Sequence, residues 1–225
     1  MSDTDLFVHL RGRSAYSLLE SMLHVKALGA LAKKHHMPAL ALTDSNNLFG
    51  ALEFSEALAE KGVQPIIGCA LSVKDESGAQ GVLALLAQNE AGYGNLMKLS
   101  SAAFLETAAN EAPHAPLARV LAHSEGLIAL TGGHGGLVNA MLEQSRDPRA
   151  LIETLARTFS NRLYVELQRH GEAGEAEIEE RLVDIAYTLG LPLVATNDVR
   201  FEKRADHRAH DALMCIAASS YLGEE

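Results

Sequence analysis

The sequence predicts an α/β fold in the form of a distorted (β/α) barrel, and three observations carry that expectation. Short apolar, β-rich runs recur about seven times, helical patterns separate most of them, and the runs are continuous rather than alternating, as strands buried on both faces of a parallel sheet should be. The same periodicity fits an open doubly wound sheet, because it does not distinguish a closed ring from an open one.

Taken in order, Leu6 to Leu10 reads as a buried strand that leaves through the polar stretch His9-Leu10-Arg11-Gly12-Arg13-Ser14. Val25, Leu28, Leu31 and Ala32 follow helical spacing, and Met37-Pro38 ends that helix because proline biases its predecessor toward extended geometry. Ala39 to Thr43 is the next strand. A second helix is marked by Leu48, Leu52, Ser55 and Ala59 and stops at Gly62, before the short run Pro65-Ile66-Ile67-Gly68. Val82 to Ala87 adds a strand, Tyr93 to Leu105 a helical stretch, and 110–116 a loop with two prolines. Gly126 to Thr131 and Leu163 to Leu167 read as strands. The clearest helix puts Ile178, Leu182, Ile185, Ala186 and Leu189 on one stripe, ends at Gly190 and feeds Pro192-Leu193-Val194-Ala195-Thr196. A last helix is expected from Ala205 to Ala217.

Composition narrows the function classes. With 225 residues, 48% hydrophobic and 21% charged, the chain suits one large domain or two small ones. No apolar run approaches the roughly 20 residues of a membrane span, and Met1 to Asp5 lacks the parts of a signal peptide, so no membrane association and a cytoplasmic location are expected. Cys69 and Cys215 form no Cys-x-x-Cys pair and read as small buried apolar residues. A formal net charge of −10 opposes binding to DNA, which depends on Lys and Arg meeting phosphates. The acidic run Glu172, Glu175, Glu177, Glu179 and Glu180 reads as the solvated face of a helix.

Two strand exits echo each other. Pro38-Ala39-Leu40-Ala41-Leu42-Thr43-Asp44 and Pro192-Leu193-Val194-Ala195-Thr196-Asn197-Asp198 each run from proline through an apolar strand to threonine and a carboxylate. Both aspartates should lie on the carboxyl-end face, where chemistry gathers in parallel α/β folds. The exits together offer His9, Arg11 and Arg13; Asp44, Ser45 and Asn46; Cys69 and Ala70; His134 among Gly132, Gly133, Gly135 and Gly136; Glu166, Gln168 and His170; and Asn197, Asp198 and Arg200. A metal centre needs converging His, Asp and Glu. Arginine offers no lone pair, so Arg11, Arg13 and Arg200 repel a cation and are suited instead to pairing with Asp44, Asp198 or Glu166. There is no Walker A sequence, Gly-x-Ser-x-Gly elbow or His-Glu-x-x-His motif; the glycines around His134 read as a turn, and His35 and His36 as surface residues at a helix end.

Several blocks resemble a known family. Phe7-Val8-His9-Leu10-Arg11 with Ser14-Ala15-Tyr16-Ser17, the strand through Asp44 with Asn47-Leu48-Phe49-Gly50, Gly92-Tyr93-Gly94-Asn95-Leu96, Glu125 to Gly132, Tyr164-Val165-Glu166-Leu167 and Val194 to Phe201 are similar, in the same order, to the opening of bacterial DNA polymerase III alpha subunits. The resemblance implies one PHP (polymerase and histidinol phosphatase) domain over residues 1–225, a distorted seven-stranded barrel at the front of a longer polymerase whose magnesium-dependent carboxylates lie beyond this sequence. It also implies that metal-binding relatives carry His-x-His, Asp-His, a glutamate and Asp-x-His at the strand exits. Here Arg11 and Arg13 stand for the first pair, Ser45 for the second histidine, Ala70 for the glutamate and Arg200 for the last histidine. Asp44 and Asp198 are retained, Glu20 takes another acidic position, and His134 or Gly133 falls at a further one. The expected site is therefore a remnant formed by Arg11, Arg13, Glu20, Asp44, Ser45, Ala70, His134, Glu166, His170, Asp198 and Arg200. No catalytic residue, metal or cofactor is assigned to the chain itself, and the arginines are expected to neutralise Asp44 and Asp198. By resemblance the partners are the rest of the polymerase alpha chain and a proofreading exonuclease subunit, with DNA reached through the parent enzyme. The alternative is an active metal-dependent PHP phosphoesterase or 3′–5′ exonuclease that uses Asp44, Asp198, Glu20 and nearby histidines.

Overall fold

A computed structural model describes residues 7–223. In chain order the elements are α1 (Val25–Lys34), β1 (Ala39–Ser45), α2 (Ala51–Ala59), β2 (Gln64–Lys74), β3 (Gln80–Ala87), α3 (Glu90–Leu105), β4 (Ala115–Pro116), α4 (Leu117–Ala122), β5 (Leu127–Leu130), α5 (Leu137–Glu143), α6 (Arg149–Thr158), β6 (Leu163–Leu167), α7 (Glu175–Leu189), β7 (Leu193–Ala195), a 3-10 turn (Arg204–Asp206) and α8 (His207–Ala218). Local chemistry sets these boundaries. α1 buries Val25, Leu28 and Ala32 on one stripe and ends in Lys33 and Lys34, whose charges oppose the negative end of the helix dipole. The Asn89 side chain accepts from the Gly92 amide at the start of α3, and α7 stops where Gly190 turns left-handed.

The strands form one curled mixed sheet in the order β1-β2-β3-β5-β6-β7, with β4 paired to β2. Most neighbours are parallel, but β3 runs antiparallel to both β2 and β5, which corrects the expected all-parallel sheet. The cause is local turn chemistry. Residues 75–79 alone join β2 to β3, too short a connection for a parallel crossover. Within them the Asp75 carboxylate accepts from Ser77 Oγ and the Ala79 amide, while Gly78 takes a positive φ of 81°.

The strand expected at Leu6 to Leu10 is also corrected. Leu6 lies outside the described residues, and 7–10 form no strand. Pairing falls on the polar exit instead. Ala41 N donates to His9 O (2.9 Å) and Thr43 N to Gly12 O (2.7 Å) on one side; Val199 N donates to Arg11 O (3.0 Å) and Arg13 N to Val199 O (3.1 Å) on the other. Segment 9–13 thus ties β1 to the residues after β7 and joins the two ends of the sheet. Gly12 makes this possible, since a Cβ there would stand 2.7 Å from the Ala41 carbonyl oxygen.

α2 buries Ala51, Phe54 and Leu58 rather than the expected Leu48, Leu52, Ser55 and Ala59 stripe. The helix begins at Ala51 and its phase follows Phe54, its bulkiest side chain, which leaves Leu52 73% exposed. The core has two clusters. One joins α1, α2 and β1 through Leu28, Leu40, Phe54 and Leu58; the larger spans β2, β3, β5 and β6 with α3, α5, α6 and α7, and includes Leu85, Leu96, Leu127, Phe159 and Leu182. The short helices α4 and α6 were not read from the sequence. Cys69 is buried as expected, with its thiol pushed by burial up to about 12, but Cys215 is only half-buried because α8 buries none of its residues. Among the described residues no helix is long and apolar enough to cross a membrane.

Candidate functional site

Several strand exits meet around three arginines. Arg11 sits in the tie segment beside the Glu166 end of β6, and it is 1% exposed while Glu166 is fully buried. Arg11 Nη1 donates to both Glu166 oxygens (3.1 and 3.0 Å) and to the Gly132 carbonyl (3.1 Å). Glu166 also accepts from the Gly132 amide (3.0 Å), Gln168 Nε2 (3.2 Å) and the Thr196 hydroxyl, so each of its oxygens is met by several donors. A buried carboxylate survives only with such partners.

Asp198 is the hub of the second layer. Arg13 Nε donates to Asp198 Oδ1 (2.7 Å), Arg200 Nη2 to Oδ2 (2.6 Å), and Arg11 Nη2 stands 4.0 Å from Oδ1. Burial alone would raise the Asp198 carboxyl, but the charges of Arg13, Arg11 and Arg200 outweigh it and hold the group well below the usual carboxylate range. Burial would likewise lower the Arg13 guanidinium, yet Asp198 and Glu20 raise it. Arg13 Nη1 also donates to Glu20 Oε2 (2.6 Å) and to the Ser45 hydroxyl, and Ser45 Oγ donates to the same Glu20 oxygen (2.7 Å).

Asp44 departs from expectation. Among the described residues no arginine forms an ion pair with it; its carboxylate accepts from the Ser14 amide (2.7 Å), Ser14 Oγ (2.7 Å) and Ser17 Oγ (2.6 Å). The neutral serines reach it because segment 14–17 folds back over the end of β1, whereas the guanidinium of Arg13 is directed to Asp198 and Glu20. Ser14 and Ser17 were the functional neighbours missed as ligands of Asp44; the signal was two hydroxyls three apart next to the arginines. Ala70 is buried in β2 opposite Ser45 and presents only a methyl group. His134 and His170 are brought together, with ring centroids 6.1 Å apart, and each faces an acid: His134 lies 3.8 Å from Glu172 and His170 3.2 Å from Glu175. The acidic run is therefore not merely solvated, since Glu175 also accepts from the His170 and Gly171 amides and Glu179 pairs with Arg169. Among the described residues no group of three or more His, Cys, Asp or Glu side chains is placed to hold a metal ion.

The curled α/β fold is shared with solved structures of distant sequence. A protein assigned as a metal-dependent phosphoesterase from Bifidobacterium adolescentis aligns with a TM-score of 0.58 at 14% identity, covering 88% of each chain. An amidohydrolase from Chromobacterium violaceum aligns at 0.55 and 14% identity over 92% of this chain and 96% of its own. More particularly, the chain belongs to the PHP domain family, which residues 9–170 match. DNA polymerase III subunit alpha of Caulobacter vibrioides is 48% identical over 97% of this chain, and those of Rickettsia bellii and Borreliella burgdorferi are 40% and 37% identical over 94% and 100% of it. The chain spans only about a fifth of the length of these relatives, 20%, 18% and 21%.

Proposed function

We propose that residues 1–225 form the amino-terminal PHP domain of a bacterial replicative DNA polymerase III alpha subunit, working in the cytoplasm as a non-catalytic scaffold. It braces the rest of the alpha chain and docks a proofreading exonuclease subunit, while nucleotidyl transfer belongs to residues outside this sequence. The observation that carries the reading is that Arg11, Arg13 and Arg200 all turn into the strand-exit site and pair with Glu166, Glu20 and Asp198. Guanidinium nitrogens at 2.6–3.0 Å from these carboxylates use the oxygens that a cation would need, so the donor set does not fit a metal cluster. Asp44, the remaining acid, is met by three serine donors. The fixed positive charges keep the acids neutralised and the strand ends together, which retains the architecture without hydrolysis.

The test is metal content of the purified chain by mass spectrometry before and after incubation with zinc and manganese, together with hydrolysis of a phosphate ester and of a single-stranded oligonucleotide. Substoichiometric metal and no hydrolysis are expected. Stoichiometric metal with cleavage abolished by a chelator would overturn the scaffold reading in favour of a working phosphoesterase or nuclease.

A further inference from the structure

α8 divides into two halves of opposite character. The first is anchored: His210 Nε2 donates to the Glu20 carbonyl (2.9 Å), and the rings of His207 and His210 stand 6.1 and 5.1 Å from that of Phe201. The second, residues 212–218, reads Ala-Leu-Met-Cys-Ile-Ala-Ala and has no polar side chain on any face. A helix that is apolar all round belongs inside protein. Yet none of these residues is buried, and Ile216 is 66% exposed. The exposure belongs to a fully formed helix end, because Ser219 turns left-handed and the Ser220 amide caps the Cys215 carbonyl (2.9 Å).

The possible covers differ in what they need. A second copy meets one face through a twofold axis, and two helical turns fall far short of the roughly 20–30 residues a side that hold a stable interface. A segment of the same polypeptide needs no such area, since a short tether supplies an effective concentration in the millimolar range, and it can pass over more than one face. The relatives have the length for it. The matched region is 20% of the Caulobacter vibrioides polymerase subunit, and α8 is the last element of this chain.

We propose that the second half of α8 is an intramolecular docking site, covered by the polypeptide that follows this domain in a longer polymerase chain. The inference rests on reading the chain as the amino-terminal part of an alpha subunit, and it names a surface through which the domain braces the rest. The covering segment is apolar where it meets Leu213, Met214 and Ile216, and it wraps the helix instead of abutting one side.

Cys215 lies in the uncovered half and is half-buried, while the buried Cys69 serves as an internal control. Pulsed alkylation, read peptide by peptide by mass spectrometry, compares the 225-residue chain with the longer polypeptide that contains it. Cys69 should stay unreactive in both. Cys215 should react in the 225-residue chain and at least about tenfold more slowly in the longer one, where only local opening exposes it. Ile216→Glu should restore the Cys215 reaction in the longer chain with Cys69 still closed, and should leave the urea midpoint of the shorter chain unchanged, which separates loss of the contact from loss of folding. Leu52→Glu, at an exposed position of α2, should leave the protection as it was. Equal Cys215 reactivity in the two chains, or protection that survives Ile216→Glu, would overturn the proposal while leaving the reading of the domain intact. A gene that encodes nothing beyond residue 225 would overturn both. Protection that grows with the concentration of the 225-residue chain would give the helix to a second copy and overturn the intramolecular assignment.

Discussion

At the scale of single residues the molecule is governed by Arg11 and Glu166, two charges removed from water together. Their attraction offsets desolvation only because Gly132, Gln168 and Thr196 complete the hydrogen bonding of the carboxylate. Glu166→Gln should therefore lower the free energy of unfolding by about 3–5 kcal/mol, since it leaves a buried guanidinium without its closest counter-charge. Urea denaturation measures this, and a loss under about 1 kcal/mol would show the pair to be dispensable. Asp198 makes a second, pH-dependent prediction. Its folded-state pKa is depressed below the unfolded carboxylate value of roughly 3.9, so its stabilisation is complete well above that value and is lost as pH falls through and below it. Urea midpoints should drop on acidification from about pH 5 toward pH 2, and Asp198→Asn should be less stable at neutral pH with a shallower acid-side slope. An unchanged slope in that variant would assign acid sensitivity to other carboxylates. The arginines were legible as non-ligands from residue type alone. Which acid each would meet was not, and the serine cradle around Asp44 shows why: a guanidinium on a long stem can reach several neighbours, and packing chooses among them.

At the scale of elements, α3 is seated on the entrance to β5 through two glycines. A Cβ on Gly92 would stand 1.9 Å from the Gly126 carbonyl oxygen, a backbone atom that cannot swing aside. Gly92→Ala should destabilise the chain by about 1–3 kcal/mol through overpacking, despite alanine's better helix propensity. A chemical denaturation curve equal to or more stable than the parent would mean the α3–β5 contact can relax. Elements with strong periodicity, such as α7 and its glycine stop, were readable in the sequence because a single stripe fixes both face and end. α2 was read on the wrong stripe, because Leu48 and Leu52 match helical spacing as well as Phe54 and Leu58 do. The β2–β3 hairpin was missed although Asp75-Glu76-Ser77-Gly78 carries turn chemistry, since a continuous apolar run says nothing about strand direction.

At the scale of the whole molecule, the net charge of −10 predicts that the chain alone does not hold nucleic acid. Fluorescence anisotropy with a labelled single-stranded oligonucleotide at about 150 mM salt should show no saturable binding at micromolar protein, where a non-specific binder would begin to respond. Saturable binding would place a local basic surface above the overall charge. α8, with no buried residues, and β7, with Leu193 and Ala195 exposed, contribute little to the core. The sequence by itself determined the α/β class, the order of most elements and the unsuitability of three strand-exit arginines as metal ligands, because these follow from periodicity, proline and glycine stops, and side-chain chemistry that neighbours cannot alter. Tertiary structure decided the reversal of β3, the tie of segment 9–13 between β1 and residue 199, and the partner of each charged group. Those depend on contacts between residues far apart in the chain, whose close approach is set by packing and backbone hydrogen bonding rather than by any local pattern.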